Sequence, residues 1–119
     1  MQPIQVIDVR VDSNTKVTIH IEFCEEKDRF GSEAFILDSK AAPHESTKIR
    51  FGNDHDTASK AFAAAFHWVA KWSAARDLPI IGINNPCSCG LLSAEEQIHV
   101  TRQYGVEIPV TVIGWGNGS

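Results

Sequence analysis

The most reactive side chains in this chain fall in one short stretch, Asn84 to Gly90 (NNPCSCG), where Cys87 and Cys89 flank a single serine. The stretch follows an apolar run and precedes a helix start. A thiolate placed there is stabilised by the helix dipole, and open α/β sheets put ligands at such turns. Two thiolates can clamp a soft metal. His55, at the head of the preceding helical pattern, would bring the set to three of the four ligands of a zinc site: His55, Cys87 and Cys89. Structural zinc pairs are commonly spaced Cys-x(2-4)-Cys, so this pair is closer than that pattern. Without metal, the same thiols are either structural or a redox site, and a redox site predicts fast alkylation at neutral pH.

A second group of residues suits recognition better than catalysis. Glu25, Glu26 and Asp28 crowd one charged loop, and Trp68, Trp72 and Trp115 are large amphipathic side chains of the kind that anchor interfaces. Negative charge beside aromatic anchors suits a basic protein partner, since complementary charge speeds encounter and sets specificity. The remaining histidines, His20, His44, His67 and His99, are scattered and read as surface residues. There is no Gly-x-Ser-x-Gly elbow, and the glycine-rich end Gly114 to Ser119 follows a strand without opening a helix, so it is not a phosphate loop.

Composition narrows the function classes. The chain has 119 residues and a net charge of -4, which fits one soluble domain over 1–119 and disfavours direct nucleic-acid binding, because no Lys/Arg stripe is there to displace counterions. No run approaches the ~20 apolar residues of a membrane span, and Met1 to Arg10 lacks the plan of a secretory signal, so a cytoplasmic protein is expected. Three cysteines are an odd number and do not make a disulfide framework.

The elements that must position these residues are readable from periodicity. Residues 4–11 alternate with Ile7, Val9 and Val11 on one side and Ile4, Val6, Asp8 and Arg10 on the other; residues 16–24 alternate more cleanly, with Val17, Ile19, Ile21 and Phe23 opposite Thr18, His20, Glu22 and Cys24. Asp12 to Thr15 supplies the turn of a hairpin. A charged loop over 25–31, a strand over 33–38 and a short strand over 47–51 follow. The longest helical pattern runs from Asp56 to Arg76, with Ala58, Phe62, Ala65, Phe66, Val69 and Ser73 on one face and Lys60, Ala64, His67 and Lys71 opposite. Trp68 and Trp72 lie on its flank. Residues 79–83 (PIIGI) read as a strand buried on both faces, and Asn84-Asn85-Pro86 as a turn. Ser93 to Glu96 is a capping box opening a second helix that ends at Gly105, and Pro109 points to a last strand over 110–113. The expected fold is α/β (α+β): a mixed sheet of about five strands, an antiparallel meander followed by α-β-α-β, with helices on at least one face and 114–119 as a loose tail.

This order of elements resembles the zinc-dependent cytidine and nucleobase deaminases, whose motif is His-x-Glu on the first helix and Pro-Cys-x-x-Cys at the second. The matching residues are His55, Pro86, Cys87 and Cys89, with Thr57 standing where the motif has glutamate. The resemblance implies zinc as cofactor and a zinc-activated water. The chain is also similar in order to the ribonuclease H-like fold, with Asp8 as the counterpart of its first carboxylate, although the 56–76 helix has no glutamate and Asn84 and Asn85 end the next strand.

Taken together, the residues favour a small acidic non-catalytic binding protein, a regulator or inhibitor working through protein–protein contact or as a homodimer through Trp68 and Trp72. It is expected to need no cofactor. A zinc-dependent deaminase-like hydrolase and a thiol redox protein are the alternatives.

Overall fold

A computed structural model describes residues 4–11, 15–38, 47–87 and 91–112. Eight elements follow in order: β1 (Ile4–Arg10), β2 (Thr15–Cys24), β3 (Arg29–Asp38), β4 (Thr47–Arg50), α1 (Ala58–Ala75), β5 (Gly82–Cys87), α2 (Ala94–Gln103) and β6 (Val110–Val112). The strands form one six-stranded mixed sheet in the order β4-β3-β2-β1-β5-β6. The first four strands make an antiparallel meander, β1 also pairs antiparallel with β5, and β5 pairs parallel with β6. The fold is thus α+β as expected, with six strands in place of about five.

The two-residue period of β1 and β2 sets the layers. Ile7 pairs with Ile19 and Val9 with Val17, so the apolar sets of both strands share one face, and all four side chains are buried. Helix α1 lies on that face. Its Ala58, Phe62, Ala65, Phe66, Val69 and Ser73 are buried as the helical period predicts, Ala61 is buried with them, and the small alanines let the Ser32 hydroxyl of β3 donate to the Ala61 carbonyl at 2.7 Å. Helix α2 covers the β1–β5 end of the same face, where Gln97 meets Asn85. No helix among the described residues is long and apolar enough to cross a membrane.

Helix ends follow their local chemistry. Thr57 caps α1, its hydroxyl accepting from the Lys60 N–H at 3.1 Å, and Asp77, at φ 57°, ends the helix in a left-handed turn. Replacing Thr57 with alanine is expected to remove about 1 kcal/mol of unfolding free energy, measured by urea titration. The exposed neighbour Asp56, paired with Arg29 and Lys60, should matter less when truncated. Ser93 forms the full capping box with Glu96 that the sequence pattern predicts, and Gly105 at φ 74° follows the C-cap of α2.

Two boundaries differ from expectation. The charged loop shrinks to a tight turn over Glu25–Asp28, and β3 already begins at Arg29, because Asp28 adopts φ 51°, a conformation that Asp tolerates, and reverses the chain early. The apolar run 79–83 is not a strand buried on both faces: β5 starts at Gly82, Ile81 is 49% exposed, and Asn84, Asn85 and Pro86 continue the strand instead of turning. An irregularity in the β1–β5 register, between Val6 and Asp8, absorbs the extra residue.

Candidate functional site

His55 is held by the sheet. Its N–H donates to the Phe30 carbonyl and its carbonyl accepts from the Phe30 N–H, so residues beyond β4 rejoin β3 after the bulge at Gly52 to Asp54. The His55 Nε2 lies 2.8 Å from the Phe51 carbonyl. A carbonyl only accepts, so Nε2 carries the proton and only Nδ1 is left as an acceptor or ligand atom. Strand β5, with Cys87, is on the other side of β1, β2 and β3. Four strand spacings of ~4.8 Å put the two backbones roughly 19 Å apart, so the sheet does not bring His55 and Cys87 together. Cys89 and the side chain of Cys87 lie outside the described residues. Among the described residues, no three His, Cys, Asp or Glu side chains are grouped to hold a metal.

The expected recognition residues lie at separate places along α1. Glu25, Glu26 and Asp28 are exposed at the tip of the β2–β3 turn, beside the start of α1, where Lys27 donates to Asn53 at 2.9 Å. Trp68 and Trp72 stand three and four turns further along that helix, about 16 and 22 Å from the Thr57 cap at 1.5 Å per residue. Both are half-buried. Their rings stack at 6.2 Å, Phe51 packs against Trp68, and the Arg76 guanidinium lies 4.7 Å over Trp72. This ladder joins the helix to the end of β4. Trp115 lies outside the described residues.

The strongest unassigned surface is the sheet face away from the helices. Strand pairing sets three rows across it: Arg50, Glu33, His20 and Val6; Lys48, Phe35, Thr18 and Asp8; Leu37, Lys16 and Arg10. Phe35 is the centre. His20 packs on its ring at 4.8 Å, and the Lys48 ammonium sits 5.8 Å from its centroid. Glu33 accepts from Arg50 at 3.1 Å and pairs with Lys48 at 3.8 Å, and Arg50 also reaches Glu22 at 3.3 Å. Asp8 accepts from Thr18 at 2.8 Å and pairs with Lys16 at 3.5 Å.

Burial divides these charges by sign. The side chains of Lys48, Arg50 and Lys16 are 55, 52 and 47% exposed, whereas Glu33, Asp8 and Glu22 are 17, 15 and 30%. Carboxylates form the floor and cations the rim, so the outermost layer is positive on a chain of net charge -4. Leu37 is also 41% exposed here, one of only two large apolar side chains so exposed among the described residues. The sequence carried a sign of this face: Phe35 and Leu37 alternate with Ala34 and Ile36, and a strand needs only one apolar face for its own core.

The other polar cluster is sealed. Gln5, Asn85 and Gln97 are fully buried and bonded to one another and to the Leu92 backbone, with no unpaired buried side-chain atom among the described residues. A shallow groove of about 290 Å³ between α2 and the approach to β6, lined by Ile98, Thr101, Arg102, Glu107, Ile108 and Pro109, has no convergent reactive groups. Comparisons with known proteins return no family model, no curated relative and no solved structure that matches the chain.

Proposed function

We propose that this is a non-catalytic, cytoplasmic binding protein that works through protein–protein contact, and that its contact surface is the helix-free face of the sheet. The observation supporting this reading is the combination of Phe35 and Leu37 with a cationic rim on a face that no described element covers. An antiparallel sheet can leave one face in water, but such a face is usually polar throughout. Apolar side chains ringed by charge are the usual composition of a recognition patch.

The test is positional. A photo-crosslinking residue at Leu37 is expected to trap a discrete protein adduct in cells, while the same residue at Lys71, on the outer face of α1, traps none. Excess unmodified protein should suppress the adduct, and excess Phe35→Asp protein should not. Identical adducts at both positions, or none at Leu37, would overturn the reading.

A further inference from the structure

Taking the open sheet face as the contact surface, we infer that its occupant is an acidic amphipathic helix of a partner protein, lying along β3 over Phe35 and Leu37. Lys48 and Arg50 on β4 form one wall of the seat, and Lys16 on β2 with Arg10 on β1 form the other. From β4 to β2 is two strand spacings and from β4 to β1 three, so the walls stand roughly 10–14 Å apart. A helix with its side chains is ~10–12 Å across. An apolar stripe facing Phe35 and Leu37 therefore sets the flanking positions of such a helix level with cations on both sides.

Charge selects the sign of those flanks. Because Glu33 and Asp8 lie low and Lys48, Arg50 and Lys16 stand high, an incoming side chain meets ammonium and guanidinium groups first. Their present ion pairs are partly exposed and weak, so partner carboxylates can share or replace them with little loss. A second copy of this chain using the same face is disfavoured, since cationic rims would meet cationic rims. Nucleic acid is disfavoured too. Four cations neutralise few phosphates, the rest of the chain is net negative, and a floor that combines Phe35 and Leu37 with the carboxylates of Glu33 and Asp8 gives a phosphate backbone nothing to bind.

The experiment uses the full chain and three labelled probes, followed by fluorescence anisotropy at low and physiological salt. One is a helical peptide with leucine and phenylalanine at i, i+3, i+4 and i+7 and glutamate on both flanks. The second has lysine for every glutamate, and the third is a single-stranded oligonucleotide of the same net charge as the first. The glutamate peptide is expected to bind at least ~10-fold more tightly than the lysine peptide, with an advantage that shrinks as salt rises. Lys48→Gln with Arg50→Gln should abolish the preference, and Lys16→Gln with Arg10→Gln should do so from the other wall, which keeps the test open should one of the two variants lose stability. Phe35→Ala should weaken the glutamate peptide while leaving the charge preference intact. Equal binding of the two peptides, a preference that survives both neutralised variants, or an oligonucleotide bound as tightly as the glutamate peptide would overturn the inference. Crosslinking at Leu37 without peptide discrimination would leave the contact surface standing and remove only the acidic helix.

Discussion

Phe62→Ala is expected to lower the unfolding free energy by about 3–5 kcal/mol, seen as a fall in the urea midpoint at unchanged slope. Phe62 is fully buried, packs its ring 5.6 Å from Phe66, and sits on the face by which α1 covers β2 and β3. Alanine there leaves a cavity between a helix and a sheet that are both rigid, so neighbours cannot collapse to fill it. A chain of this length has roughly 6–18 kcal/mol of total stability at the usual value per residue, so the variant would keep only part of it or unfold outright. Lys71→Ala, on the exposed side of the same helix, should stay within about 0.5 kcal/mol and controls for helix propensity. A Phe62→Ala loss below about 1 kcal/mol would mean that this face of α1 is not the principal core contact.

That face of α1 was legible in the sequence because helical period is a local property. Six of the seven buried positions from Ala58 to Ser73, all but Ala61, follow from spacing alone, as does the Ser93–Glu96 capping box. Strand partners are not local. Nothing within residues 55–89 says that β1 will take β2 on one side and β5 on the other, yet that arrangement puts His55 and Cys87 on opposite sides of three strands. Gly31 illustrates the same limit. Its need for glycine comes from a segment about twenty residues away: a Cβ there would stand 2.9 Å from the Gly52 carbonyl oxygen and 2.9 Å from the Asn53 Cβ. The open face was half legible. Alternation in β2 showed a polar side, but its cationic rim depends on which acids the meander places low and which bases it leaves high.

The misread segment Asn84-Asn85-Pro86 yields the second large prediction. Its residue types favour turns, because Asn side chains bond their own backbone when nothing else is offered. Here Asn85 is offered better partners. Its amide N–H groups donate to Gln97 Oε1 at 3.0 Å and the Thr111 carbonyl at 3.1 Å, and its oxygen accepts from Gln5 Nε2 at 2.9 Å and Gln97 Nε2 at 3.0 Å. Gln5 in turn holds the Leu92 backbone from both sides, donating at 2.9 Å and accepting at 2.8 Å. One amide therefore ties β1, β5, α2 and β6 together in a site closed to water. Asn85→Ala should remove about 2–4 kcal/mol, since it leaves Gln97 Oε1 without its donor and removes three further bonds, to Gln5, Gln97 Nε2 and the Thr111 carbonyl. Asn85→Asp separates hydrogen bonding from packing, because the shape is kept while the donors are lost. Burial raises the folded-state pKa of the new carboxyl above its unfolded value, so the variant should be least impaired at low pH and lose stability as pH rises through the range between the two. Urea titrations at pH 4 and pH 7 check the sign. A pH-independent loss, or an alanine variant within about 0.5 kcal/mol of the parent, would show that the network is not what holds β5 and α2 in place.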